Sequence, residues 1–184
     1  MADEDLERLR RLLRERSVRR GDFVLASGQR SSYYIDCRLT TMSAEGQGLI
    51  GRVGWRAIKE EGWRPKAVGG LTKGADPVAY AVASASWGTD LVMDAFSVRK
   101  EAKGHGTGRA IEGCFSAGDE VVIMEDVITT GESAQRAIAA VSAAGGRVLG
   151  VLAVVDRGEG GRETLEAEGR AVVALVGVRE LGVG

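Results

Sequence analysis

Three features of the sequence predict an α/β fold with a mostly parallel central sheet flanked by helices. The strand-like segments are apolar throughout rather than alternating, they are interleaved with helix-like segments, and glycines follow directly on several of them. The strands are AVGG (67–70), LVMDAFSV (91–98), DEVVIMED (119–126), RVLGVLAVVD (147–156) and AVVALVGV (171–178). A strand with no polar side is buried on both faces, as in a parallel sheet covered by helices. The helices are justified one by one. Residues 3–16 place Leu6, Leu9, Leu12 and Leu13 on one face. Residues 43–62 form a second helix, ended by Gly62, and the Ala-rich 74–86 a third. Ala134, Ala137, Ile138 and Val141 mark a fourth, closed by Gly145 and Gly146, and 161–168 fit a fifth. GDFVLASGQRSSYYID (21–36) reads as two short strands around a Ser-Gly turn. RKEAKGHGTGRAIEG (99–113) is basic, glycine-rich and offers little to bury, so it is expected to be a mobile excursion.

The 184 residues suit one domain, 1–184, with a full core. Charge is nearly balanced, 25 basic residues against 26 acidic, which gives no global reason to expect nucleic acid or an anionic membrane as partner. Arg8, Arg10, Arg11, Arg14 and Arg16 interleave with Asp3, Glu4, Asp5, Glu7 and Glu15, the pattern of a solvated helix face. The start, MADEDLERLRRL, lacks the apolar core of a secretory signal, and VLGVLAVV (148–155) is too short to span a bilayer. A cytoplasmic location is expected, with Cys37 and Cys114 as reduced, buried thiols.

The segment VVIMEDVITTGES (121–133) carries the chemistry. An apolar strand runs into Glu125 and Asp126, and the carboxyl ends of parallel strands are where such folds bind ligands. Two adjacent ionised carboxylates call for something to hold, either a metal or sugar hydroxyls that donate to them. Val127, Ile128, Thr129, Thr130, Gly131, Glu132 and Ser133 then lead into a helix N-terminus, whose free N–H groups favour an anion such as phosphate. Acids for a diol beside a phosphate cradle describe a pocket for a ribose 5-phosphate. The alternative is an ordinary strand–turn–helix with Thr130 or Ser133 as N-cap. No Gly-Lys-Ser/Thr follows, so this is not a nucleotide P-loop.

VVIMEDVITTGES resembles the phosphoribosyl-pyrophosphate signature of type I phosphoribosyltransferases. Four further segments resemble the orotate phosphoribosyltransferases among them: the catalytic loop FSVRKEAKGHGTG (96–108), the hood GDFVLASGQRSSYYID, the pyrophosphate loop GLTKGADP (70–77) and VVDRGEGG (154–161). The matches fall in order over roughly residues 21–161. The resemblance implies the type I fold with a small N-terminal hood, mainly residues 1–40, and a flexible catalytic loop at 98–112. It implies transfer of the phosphoribosyl group from phosphoribosyl pyrophosphate to orotate, giving orotidine 5'-monophosphate and pyrophosphate, within pyrimidine (UMP) biosynthesis. Lys103, His105 and Asp126 are implied as catalytic. Lys73, Arg99, Lys100, Lys103 and His105 would join residues 125–133 in binding the sugar pyrophosphate. Tyr33, Tyr34, Thr129 and Arg157 would bind orotate. Mg²⁺ is implied as cofactor, carried by the substrate pyrophosphate with no protein ligand assigned, and a homodimer whose loops are shared between sites. Two departures stand out: Ala26 replaces a lysine found in some relatives, and Glu125 stands where some branches carry Asp. Transfer to another base, or a non-catalytic sensor of phosphoribosyl pyrophosphate, are the alternatives.

Overall fold

The computed structural model describes residues 2–24, 28, 30–100 and 110–183. The elements in chain order are α1 (Ala2–Arg16), β1 (Val18–Val24), β2 (Arg30–Ile35), α2 (Arg38–Thr41), α3 (Ala44–Glu60), β3 (Ala67–Leu71), α4 (Ala75–Ser86) and β4 (Asp94–Val98). They continue with β5 (Ile111–Gly113), β6 (Glu120–Ile128), α5 (Glu132–Ala143), β7 (Arg147–Asp156), α6 (Gly161–Ala167), β8 (Val172–Gly177) and a 3₁₀ turn, Val178–Leu181.

Six strands form the central sheet in the order β5-β4-β3-β6-β7-β8. Every neighbouring pair is parallel except β4 and β5. β1 and β2 form a separate antiparallel pair, with Val18 opposite Ile35. The apolar strands are explained by two-sided burial. On β6, Val122 and Met124 pack with Leu9, Leu13, Ile50 and Val82, while Val121 and Ile123 pack with Ala137, Ile138 and Val141. At about 25 cal/mol per Å² of apolar surface, those two layers supply the main drive to fold.

The first helix belongs to the first layer. Leu9, Leu12 and Leu13 are buried, and Asp5 binds both Arg52 (2.8 Å) and Arg56 (3.1 Å) of α3. Arg8 pairs with Glu45 and Arg10 with Glu7 and Glu180, so these arginines are spent on neighbouring acids.

The boundaries depart from expectation in five places. The two-residue register irregularity between Arg20 and Phe23 lets β1 begin at Val18 rather than Gly21. α2 has only four residues, RLTT, and shows no helical period of its own. β4 pairs from Asp94, while Leu91 and Met93 are buried ahead of it. β5, inside the segment expected to be an excursion, closes the sheet edge by pairing antiparallel with β4. β6 runs on to Ile128, past the acidic pair. Cys37 is buried as expected, but Cys114, just after β5, is exposed.

Candidate active site

Parallel strands bring their carboxyl ends to one rim. Here that rim carries Thr72–Gly74 after β3, Arg99 and Lys100 after β4, Thr129–Gly131 after β6 and Arg157–Gly160 after β7. Two cavities open there, one on either side of Val127. The larger, about 560 Å³, is bordered by Tyr34–Arg38, Thr72–Gly74, Lys100, Asp126 and Val127. The smaller, about 160 Å³, is bordered by Glu125 and Val127–Ala134.

The acidic pair is divided between them. Successive side chains of a strand point to opposite faces, and because β6 continues past both acids, Glu125 meets the small cavity and Asp126 the large one. The expectation of two ionised carboxylates side by side is therefore corrected. Glu125 is 4% exposed, its Oε1 has no partner among the described residues, and burial, reinforced by Asp126, pushes its carboxyl up to about 8 against a lowering influence from Lys100. At neutral pH the ligand-free protein holds Glu125 mainly protonated. Burial also raises Asp126, opposed by the Val127 N–H, which donates to its Oδ1 at 2.9 Å.

The small cavity is made of backbone. Gly131 caps α5 with φ +84°, and the first turn of the helix follows with Glu132 and Ser133. The loop is held from outside by α6: the Gly161 N–H donates to Thr129 O at 2.9 Å. A Cβ on Gly161 would lie 2.3 Å from that oxygen and 2.6 Å from Gly131 N. Only glycine permits this approach. Thr129 is half-buried, and Thr130, Glu132 and Ser133 are exposed. Free N–H groups at a helix start, with the helix dipole behind them, suit a phosphate-sized anion.

The large cavity is made of side chains. Lys73 stands exposed in the loop between β3 and α4, after a cis peptide from Thr72, whose own N–H donates to Val98 O at 2.8 Å. Gly74 packs so closely on Asp126 that an added Cβ would sit 2.6 Å from its Oδ1. Lys100 is exposed on the opposite side, and its carbonyl accepts from Arg136 of α5 at 2.7 Å. Arg99 turns towards Glu112 and borders neither cavity, while its backbone N–H donates to Ala110 O at 2.9 Å.

Arg157 is 9% exposed. Its guanidinium lies 5.3 Å from the centre of the Tyr33 ring and binds Glu159 at 2.8 Å. Its N–H donates to Ile128 O at 3.0 Å, which ties it to the end of β6. The ring of Tyr34 rests against Phe23 at 5.8 Å. Lys103, His105 and Ala26 lie outside the described residues.

Sequence reasoning missed Asp36, Cys37, Arg38 and Thr72 as cavity residues, and Gly161 as support. Asp36 and Arg38 form a two-pronged pair, Nε to Oδ1 at 2.8 Å and Nη2 to Oδ2 at 3.0 Å, and the guanidinium holds the Asp36 carboxyl below its usual range. The only signal was an acid and a base two residues apart at the end of a strand. Among the described residues no group of three or more His, Cys, Asp or Glu side chains is placed to cage a metal.

No family model matches the chain. Individual relatives do. The chain is 47% identical over 178 residues to orotate phosphoribosyltransferase of Aquifex aeolicus, covering 95% of this chain and 96% of the relative. It is 46% identical over 184 residues to that of Mycobacterium avium, covering both chains completely. Two solved structures of orotate phosphoribosyltransferase from Mycobacterium tuberculosis H37Rv superpose with TM-scores of 0.86 and 0.83 at 42% and 40% identity. Each comparison covers 97% of this chain and 99% of the other, and the second structure is a complex with 5-phospho-alpha-D-ribosyl 1-diphosphate. Agreement at this level over the whole length, on the sheet and rim described above, makes the chain a member of the orotate phosphoribosyltransferase family, with the type I phosphoribosyltransferase fold.

Proposed function

We propose that the chain transfers the phosphoribosyl group of phosphoribosyl pyrophosphate to orotate, releasing pyrophosphate and forming orotidine 5'-monophosphate for pyrimidine synthesis. The observation that carries this is the pair of unlike cavities meeting at Val127. The 5-phosphate fits the backbone cradle at the start of α5. The ribose then crosses Val127, with Asp126 on one side and Glu125 on the other to accept from its hydroxyls. The pyrophosphate extends into the larger cavity between Lys73 and Lys100. Arg157, buried against Tyr33, offers a planar pair of donors for the orotate carboxylate.

In the reaction a ring nitrogen of orotate bonds to C1 of the ribose as the bond from C1 to pyrophosphate breaks. Positive charge grows on the sugar and negative charge on the leaving group. Lys73 and Lys100 stand where the negative charge develops, and fixed cations there lower the barrier. Lys103 and His105 are assigned to the same task from the sequence. Mg²⁺ is proposed as cofactor. The donor set suits an ion carried in by the substrate, since among the described residues only Asp126 and the Asp36–Arg38 pair bring carboxylates to the cavity, and Mg²⁺ keeps much of its water. It would supply charge neutralisation of the pyrophosphate.

A homodimer that shares its catalytic loops is also proposed. Trp87 is 83% exposed, and Val92 and Met42 are also exposed, which makes them candidate contacts for such a partner. No described helix is long and apolar enough to cross a membrane, and work in the cytoplasm is proposed with the rest. The deciding experiment follows loss of orotate absorbance with phosphoribosyl pyrophosphate and Mg²⁺. Turnover that EDTA abolishes is expected. Failure with orotate but turnover of xanthine, hypoxanthine or uracil would move the assignment to another base.

A further inference from the structure

Ser97 interrupts an apolar strand end, FSV, and is only 9% exposed. A buried hydroxyl is costly unless it is bonded, and this one is bonded twice. Its Oγ donates to Asp76 Oδ1 at 2.7 Å and lies 3.0 Å from Tyr80 Oη. A serine has one proton to give, and here it goes to the carboxylate, so Tyr80 must be the donor in the second bond. The direction of the chain is therefore Tyr80 to Ser97 to Asp76.

The location of this chain matters more than its existence. Asp76 lies in the first turn of α4, three residues after Lys73. Ser97 lies in β4, three residues before Lys100. Lys73 and Lys100 border the same cavity, and they reach it on separate segments. Beyond the β3–β4 ladder, the described polar links between those segments near the rim are the Ser97–Asp76 bond, the Tyr80–Ser97 bond that backs it, and the Thr72 N–H to Val98 O bond. The Thr72–Val98 bond fixes backbone to backbone on the strand side. The Ser97–Asp76 bond fixes the start of α4, and hence the exit of the Lys73 loop, against β4. A carboxylate in the first turn complements the helix dipole, so Asp76 is held where it also stabilises the helix.

Building on the transfer reaction proposed above, we propose that Ser97 is a positioning residue which, through Asp76 and with Tyr80 behind it, sets the spacing of Lys73 and Lys100 around the pyrophosphate of the substrate. Ser97 touches neither substrate nor reacting atoms. Its loss lets the two cations drift apart, which weakens binding of the doubly anionic group while leaving the 5-phosphate cradle and the Arg157 side unchanged.

The test is made on affinity for phosphoribosyl pyrophosphate with Mg²⁺, by calorimetry on the full chain, because it does not depend on which base is the acceptor. Ser97→Ala is expected to weaken binding about five- to tenfold, the scale of one lost hydrogen bond. Ser97→Thr, which keeps the hydroxyl, is expected to bind within about twofold of the parent. Ribose 5-phosphate, which has no pyrophosphate, is expected to bind all variants alike. Tyr80→Phe, at a half-exposed site that cannot disrupt folding, is expected to weaken binding about twofold. Parent-like affinity in both Ser97→Ala and Tyr80→Phe overturns the proposal, as does equal weakening of ribose 5-phosphate, or a threonine variant as weak as the alanine one. A parent protein that binds phosphoribosyl pyrophosphate but never consumes orotate defeats the transfer reaction instead, and leaves the affinities to judge Ser97.

Discussion

In the proposed reaction the two cavities that meet at Val127 would recognise anions by opposite means. The small one is backbone, built by one strand, one turn and one helix start, and braced by Gly161. The large one is assembled from side chains that arrive on four separate segments, with exposed lysines on two of them. A backbone cradle is fixed as soon as the sheet forms and costs little to organise when it binds. A ring of side chains must be held in place by bonds elsewhere, and its grip changes with charge. On the proposed function, one side would anchor the substrate and the other would answer to the charge that moves during reaction.

Asp126 borders the large cavity beside Val127, where the two meet, so its loss should break the comparison most severely. Asp126→Asn keeps shape but removes the charge that accepts from a sugar hydroxyl. Its amide oxygen can still accept from the Val127 N–H and pack on Gly74, so the loss is one of charge. We expect kcat/KM to fall about 100-fold, in line with a lost charged hydrogen bond at a reacting sugar. Initial rates with orotate will show it, and a loss below about fivefold would place the ribose elsewhere.

The backbone side should break next, through a residue that touches no substrate. Gly161→Val would drive a side chain into Thr129 O and Gly131 N. KM for phosphoribosyl pyrophosphate should rise about tenfold or more, with a stability loss of roughly 2 kcal/mol from the strained contact. KM for orotate should hold. A variant with displaced orotate binding and intact sugar binding would show that the loop can move without cost.

How far this division could be seen in the sequence differs from one element to another. β7 and α5 were legible because a continuous apolar run and a four-residue apolar face each have only one good burial solution. The phosphate loop was legible for the same reason, since its position follows from strand and helix alone. β5 was not, because its three residues are strand only by virtue of pairing with β4. Nor could the separation of Glu125 from Asp126 be foreseen while the strand was taken to stop at the acids. Asp36 and Arg38 reach the cavity through the path of the chain after β2, which no local pattern encodes.

Glu125 sharpens the contrast, because it is an acid on the backbone side that burial keeps neutral. Its carboxyl is raised to about 8, well above the ordinary glutamate range. The folded state thus holds a proton that the unfolded chain has already released, so stability is greatest below the unfolded value and is lost as pH rises through about 8. Denaturation midpoints should fall between pH 5 and 9 by this contribution, and Glu125→Gln should flatten that slope. Binding of phosphoribosyl pyrophosphate should strengthen about fivefold over the same range in the parent, as the ionised carboxylate becomes a stronger acceptor for the hydroxyl than the neutral carboxyl. An unchanged slope in the glutamine variant would assign the pH dependence to Asp126, which burial also raises.

The smallest effect should come from the rim beyond both cavities. Arg157 is committed to Glu159 at 2.8 Å, yet its Nε is buried without a partner and its plane lies over Tyr33. An incoming orotate carboxylate must compete with Glu159 for the same guanidinium, and a partly exposed competitor is worth about 1 kcal/mol or less. Glu159→Gln removes that competitor's charge without uncovering the ring. KM for orotate should drop about two- to threefold while kcat and the sugar pyrophosphate KM stay fixed. A rise instead would mean that Glu159 holds Arg157 in its binding orientation, and that the ion pair is part of the orotate site rather than a rival to it.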